Sequence, residues 1–297
     1  MMRIAQSRED KVITLIISLI LGAWTLLILY PLYFVLIASF SDPFAVQRGE
    51  VWLFPVGFSL NGYERLMHYD TVWMGYLNSF LYMIAGTALN VTITLPAGYA
   101  LSRADLKGRR FISLLMIFTM FFSGGLIPLY LVVKNLNMIN TFSAMILPNA
   151  MSVFNVLICR TFFQATIPGE LREAASLDGC SDFKFFLQIV LPLSKAIVMV
   201  MVLYYAVEHW NAYFNALIYL RDYQRYPLQI VLRDILLVSS SAASDTSILD
   251  DSLVKQQKIA EMIKYCVIIV ANLPLIILFP FVQKYFKKGV MIGAIKG

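Results

Sequence analysis

Five stretches of the chain carry no charged side chain: 12–41, 71–102, 111–133, 135–159 and 265–283. A sixth, 196–220, carries only Glu208. Crossing about 30 Å of hydrocarbon takes about 20 apolar residues in a helix. The pattern therefore predicts an all-α membrane protein with six transmembrane helices, roughly 12–38, 73–101, 111–133, 141–163, 188–220 and 263–285. The fifth is longer than a bilayer needs and is expected to tilt or to project beyond it. The first run far exceeds the apolar region of a signal peptide and lacks a small-residue cleavage site.

Between the fourth and fifth runs lies a polar, helix-forming stretch, Glu170 to Pro192. Thr166-Ile167-Pro168 is a helix-start signal, because proline is tolerated in the first turn. Leu171, Ala174, Ala175 and Asp178 recur at i, i+3, i+4 and i+7, which places an apolar, small face on one side. Gly179 is placed to stop the helix. Glu170, Arg172, Glu173, Asp178, Asp182 and Lys184 fall within fifteen residues, so this segment is not a span. A short helix with a flat alanine face, set between two spans, suits the membrane surface and a groove on another protein.

Composition agrees with this reading. The chain is 59% hydrophobic and 14% charged, against about 25% charged in a soluble domain, and its mean hydropathy is +0.72. The net charge of +6 is spread between apolar runs rather than along one face, which argues against nucleic acid and for a topology signal. One set of helix ends holds 15 of the 24 basic residues against 7 acids; the opposite set holds 9 against 10. By the positive-inside rule, both termini and the 165–187 loop are expected to be cytoplasmic. Two sizeable loops, about 39–72 and 221–262, then lie outside. The first is rich in proline, glycine and aromatics and suits a membrane surface or an external partner. The stretch 239–252 reads as a low-complexity polar turn. Cys159, Cys180 and Cys266 have no metal spacing, and His68 and His209 are two isolated histidines, so no metal site is expected.

Glu173-Ala174-Ala175, three residues, Gly179, nine residues, then Ile189-x-Leu191-Pro192 resembles the EAA loop of permease subunits of bacterial binding-protein-dependent ABC importers, with every fixed position at the right spacing. The likeness extends along nearly the whole chain, through Asn78-Ser79, Tyr99-Ala100-Leu101-Ser102-Arg103, Pro128-Leu129-Tyr130, Trp210-Asn211-Ala212-Tyr213-Phe214 and Pro227-Leu228-Gln229. It is nearest to the carbohydrate-uptake branch and to its second maltose permease subunit. The tail wording Gly289-Val290-Met291-Ile292-Gly293 is similar to a subgroup importing complex oligosaccharides. The resemblance implies a type I ABC importer permease fold. It divides the chain into 1–72 (N-terminal tail, first helix and external loop), 73–286 (transmembrane domain) and 287–297 (cytoplasmic tail).

The same resemblance implies that Glu173, Ala174, Ala175, Asp178 and Gly179 form a coupling helix seated in a cleft of a cytoplasmic ATPase. It also implies that the tail, through Lys287, Lys288, Gly293 and Lys296, reaches the ATPase dimer. The implied partners are a second homologous permease subunit, an ATPase dimer, an extracellular or lipid-anchored sugar-binding protein and membrane lipid, in a bacterial cytoplasmic membrane.

No glycine here is followed by lysine, so a G-x-x-x-x-G-K-[ST] phosphate loop is impossible. There is no G-x-S-x-G and no H-E-x-x-H, and the chain is not expected to be an enzyme. No cofactor is expected on it; ATP and Mg belong to the partner. Glu208 is the one ionisable residue well inside a span, and Asn211 shares its face at i+3. Glu208, Trp210, Asn211 and Tyr213 are the candidates for a substrate pathway, with Tyr205 and the other aromatics able to stack on sugar rings. The bland alternative is an internally paired carboxylate with aromatics that simply pack. A self-sufficient secondary carrier or channel would need several such carboxylates, and only Glu208 qualifies. Prolines and glycines in or beside the spans suit either bundle packing or gating hinges.

Overall fold

The computed structural model describes residues 8–244 and 263–280, and all regular structure within them is helical. Two compact units separate: residues 1–69 with 234–272, and residues 70–233 with 273–297. The first unit thus joins the N-terminal segment to chain from the other end, a division that crosses the 73–286 segment expected from the sequence. The tail residues Lys287, Lys288, Gly293 and Lys296 lie outside the described residues.

In the first unit, α1 (Arg8–Ser39) is one continuous helix of 32 residues with Pro31 inside it. Asp42 caps the short α2 (Pro43–Gln47): its carboxylate accepts the Phe44 N–H at 3.2 Å, and Pro43 occupies the first turn. Ile37, Ala45 and Val51 form a small core with Phe34 and Val46. The chain after it, through α3 (Asn61–Met67), folds back on the end of α1. Tyr63 donates to Ser39 Oγ at 2.7 Å.

The second unit is built on α4 (Asp70–Ser102), which runs unbroken through Pro96. Three further spans are each broken in two. The run predicted as a helix over 111–133 is α5 (Arg109–Phe121) and α6 (Leu126–Asn135), bent by 111°. Gly125 between them has φ +84° and ψ 179°, a conformation essentially reserved for glycine. The run predicted over 141–163 is α7 (Phe142–Ile146), a 3-10 turn at Leu147-Pro148-Asn149, and α8 (Val153–Thr166), bent by 52°. After α9 (Gly169–Leu177) come α10 (Asp182–Leu193) and α11 (Lys195–Trp210), bent by 86°. The expected single long helix over 188–220 is therefore not formed. Pro192 has no N–H to continue the ladder, a π turn at Phe186–Val190 precedes it, and Ser194 breaks the helix. A second interruption follows Trp210, before α12 (Tyr213–Tyr219). Among the described residues three helices are long and apolar enough to cross a membrane, and up to six if each bent pair counts as one span.

The helix α4 packs on α8 and α11. Its buried positions Ser79, Tyr82, Gly86, Asn90 and Thr94 recur every three to four residues along one stripe. Gly86 is required there: a Cβ would run into the His209 ring. The last helices among the described residues are α13 (Leu228–Ser244) and α14 (Ile263–Pro280). Part of the expected polar turn at 239–252 is thus helical, through Ser244, and the rest lies outside the described residues.

Candidate functional site

The polar loop forms the helix its sequence predicts. Pro168 is the extended residue before it, with φ −65° and ψ 145°, and Gly169 begins the first turn. Glu170 sits in that turn, where a negative charge meets the positive end of the helix dipole. At the other end, Gly179 N–H donates to Ser176 O at 3.1 Å and Cys180 N–H to Ala175 O at 2.9 Å. With Gly179 at φ +73°, this is the paired hydrogen-bond pattern of a Schellman stop, and only glycine enters it without steric cost.

The helix divides its small residues between two environments. Ala175 is buried among Phe163, Phe185, Phe186 and Tyr99 of its own chain. Ala174 is exposed, beside Glu170 and Glu173. The apolar stripe expected to face outward as a set is therefore split, because Ala175 is taken up by internal packing. In its place stands Leu177, 90% exposed although it lies outside the spans. Leu177 is at i+3 from Ala174 and i+4 from Glu173, so the free face reads Glu170, Glu173, Ala174, Leu177. Asp178 and Gly179 are exposed at its end.

Four charges hold this helix to the end of α4. Arg103 pairs with Asp105 at 2.7 Å and with Asp182 at 2.7 Å; Arg172 pairs with Asp105 at 2.9 Å and with Asp182 at 3.5 Å. Each arginine meets both carboxylates, in a closed square. The Arg103 guanidinium, which hydrogen-bonds it, holds the Asp105 carboxyl well below the usual carboxylate range, and Asp105 in turn raises Arg103. Ser181 caps the start of α10 by accepting the Lys184 N–H, which places Asp182 in the first turn and in the square. A cavity of about 470 Å³ opens beside it, lined by Pro96, Tyr99, Arg103, Lys107, Asp182 and Phe183 among others. Sequence reasoning placed Arg103 in a charge count and a resemblance motif, and Asp182 among the charges that keep the loop out of the membrane, without pairing them. The Arg103-x-Asp105 spacing was the one available signal, and it does not show that Arg172 would join from 67 residues away.

The intramembrane candidates do not stay together. Trp210 is fully buried, with ring centroids 6.0 Å from Tyr76 and 5.3 Å from Phe80, so within this chain it packs in the core. Tyr205 is likewise fully buried, hydrogen-bonded to Thr94 at 2.7 Å and accepting the Ser152 N–H at 3.3 Å. His209 is buried against Asn90, 3.0 Å between Nε2 and Oδ1, and Asn90 donates onward to Asn149 O at 2.6 Å. Glu208, Asn211 and Tyr213 are exposed on the surface of the unit. Asn211 donates to Val207 O at 2.9 Å. Glu208 has no hydrogen-bond or ion-pair partner among the described residues, so the internal pairing weighed above is not seen within them. Tyr204, also exposed, precedes it by one turn. No group of metal-ligating side chains occurs among the described residues.

No protein-family model matches the chain. Curated relatives do. Over 289 residues it is 38% identical to the polygalacturonan/rhamnogalacturonan transport system permease protein YtcP of Bacillus subtilis, covering 97% of this chain and all of that protein. It is 26% identical to the melibiose/raffinose/stachyose import permease protein MelC of the same organism, over the full length of both. Among solved structures, a chain of a bacterial ABC transporter involved in the import of the acidic polysaccharide alginate superposes with a TM-score of 0.81 at 29% identity, covering 95% of this chain and 99% of that one.

Proposed function

Because the chain belongs to the permease subunits of bacterial ABC importers of sugars and oligosaccharides, we propose that it forms half of an oligosaccharide pathway and is driven by a separate ATPase through α9. The observation that carries this reading is the exposed face of α9. A helix outside the spans is stopped by a tight glycine turn, tied back by four charges, and still presents Ala174 and a 90% exposed Leu177. We read this small, flat apolar face, bordered by carboxylates, as one that fits a partner's cleft. Glu170 and Glu173 flank it as polar contacts. Ala175, Asp178 and Gly179 shape the helix from behind and at its end.

In this mechanism closure of the ATPase presses on α9. The charge square and the Ala175 contact pass the displacement to α4 and α10 as one body. Glu208, Asn211 and Tyr213 face the pathway or the second permease subunit, where an unpaired carboxylate finds water or a polar partner. The tail residues Lys287, Lys288, Gly293 and Lys296 make a second contact with the ATPase, on the strength of the family resemblance. An external binding protein delivers the substrate. The names of the relatives support fragments of a polysaccharide as that substrate, with uronic-acid oligomers first among them.

The test is copurification and ATPase assay of the reconstituted complex. Ala174→Trp and Glu173→Lys should leave the chain inserted and paired with its sister permease, yet lose the ATPase or its stimulation by loaded binding protein. If both variants retain the ATPase and unchanged stimulation, α9 is not the coupling element. Stimulation screened across neutral and uronic-acid oligosaccharides identifies the substrate.

A further inference from the structure

The first unit carries a feature the transport reading does not use. After α1 ends at Ser39, residues 40–58 double back along it as a strap. Asp42 N–H donates to Val56 O at 2.8 Å and Ser59 N–H to Phe40 O at 2.9 Å, which pairs the returning limb with the outgoing one. Phe40 and Phe58 stack with centroids 5.9 Å apart. The strap reaches well below the helix end. Tyr33 Oη donates to Leu53 O at 2.5 Å and Tyr30 Oη to Trp52 O at 3.4 Å. Tyr30 lies nine residues before Ser39, about 14 Å along the axis.

Burial at the end of α1 comes from the strap together with Tyr63 of α3 and with Tyr265 and Cys266 of α14. From Phe34 onward one side of the helix is covered, with Ile37, Ala38 and Ser39 buried and Leu36 still exposed at 43%, and before it every described position is exposed. On the outer side of the strap Trp52 is 70% and Phe54 76% exposed, with Leu53 and Phe58 beside them. At its turn stands an exposed Arg48–Glu50 pair at 2.6 Å, and Trp52 Nε1 donates to Gly49 O at 2.7 Å.

We propose that this strap is an interfacial anchor, seated on the phospholipid headgroups at the level of Tyr30 and Tyr33. Two opposed constraints set the depth. Four large exposed apolar side chains, Trp52, Leu53, Phe54 and Phe58, disfavour bulk water. An arginine–glutamate pair at the turn disfavours hydrocarbon. The headgroup layer satisfies both, and tryptophan and tyrosine concentrate there. The length of α1 agrees. Its uncharged run from 12 to 41 would be about 45 Å long, about 15 Å more than the hydrocarbon core. Measured from Val12 to Tyr30 the run is about 28 Å, which matches that core. The hydrocarbon-crossing part of α1 is then 12–30, and the turns from Pro31 to Ser39 stand above it, wrapped by the strap.

The test is nitroxide depth measurement on the full transporter complex in vesicles of phosphatidylcholine and phosphatidylglycerol. Single labels are placed through Leu21→Cys, Leu29→Cys, Leu36→Cys and Phe54→Cys, each with Cys180→Ser; Cys159 and Cys266 are buried. Collision rates with oxygen and with a water-soluble nickel chelate give the depth. Leu21 should be deepest, Phe54 should match Leu29 to within about one helical turn of 5.4 Å, and Leu36 should be the most open to nickel. Nickel access at Phe54 equal to or above that at Leu36 would place the strap in water and overturn the proposal. Protection of Phe54 from both reagents would show a protein covering it, and would overturn it equally. Where a label at 54 disturbs the strap, Trp52→Cys reads the same depth.

Discussion

The charge square at Arg103, Asp105, Arg172 and Asp182 and the lone carboxylate of Glu208 are opposite solutions to placing charge in a membrane protein. The square lies outside the spans and each of its members has two partners of opposite sign. Glu208 lies inside a span and has none among the described residues. A closed set of pairs is complete within one chain and serves to hold elements together. An unpaired charge at membrane depth is incomplete, and its cost is relieved only by water or by another subunit. The first kind of site positions; the second waits for a partner or a pathway.

The largest expected effect comes from the wall behind Glu208. Gly86→Leu drives a side chain into the His209 ring and separates it from Asn90. Overpacking of this kind costs about 1–3 kcal/mol or more, and the extracted chain should lose most of its folded fraction in a fluorescence-detected size-exclusion assay. An unchanged elution profile and melting temperature would show that α4 and α11 are not held at this point.

Breaking the square should come next. Arg103 is only 16% exposed, and removing it leaves two carboxylates facing one arginine. Arg103→Ala should lower ATPase stimulation by loaded binding protein several-fold while insertion is kept. Arg172→Ala, at a more exposed corner, should do less, by about 1 kcal/mol or below in a thermal melt. A double-mutant cycle between Arg172 and Asp182 tests whether the corners act as one unit; strict additivity would reduce the square to separate surface pairs.

Glu208→Gln should leave assembly and melting temperature unchanged, since no partner among the described residues is lost, and should alter transport. A fall in melting temperature instead would show that a neighbouring subunit pairs with it.

The smallest effect is the pH response of the square. Asp105 is held below its ordinary value, so its contribution is present above the unfolded pKa of about 4 and is lost only as pH falls through the lower folded value. The melting-temperature difference between the parent chain and Asp105→Asn should be flat from pH 5 to 8 and shrink only below about pH 4. A difference that changes near neutrality would assign the effect to another group.

Much of this protein is set by local patterns. Apolar runs of 19 residues or more predict spans because the bilayer thickness is a fixed ruler. The start and stop of α9 are legible because Pro168 and Gly179 act through their own backbone restrictions. The absence of any Gly-Lys pair excludes a G-x-x-x-x-G-K-[ST] phosphate loop in the chain by itself. Tertiary structure decided the rest. Glycines and prolines mark places where a span is able to break, yet Pro31 and Pro96 sit in continuous helices while the Gly125, Pro148 and Pro192 regions bend. Trp210 and Glu208 are two residues apart, and packing buries one against Tyr76 and Phe80 and leaves the other outside. Ala174 and Ala175 are adjacent and part in the same way. Helical periodicity assigns residues to a face, but which face meets a neighbour depends on how α4, α8, α10 and α11 are placed. The pairing of Arg172 with Asp105 depends on it too, because contacts across tens of residues follow from packing in three dimensions rather than from spacing in one.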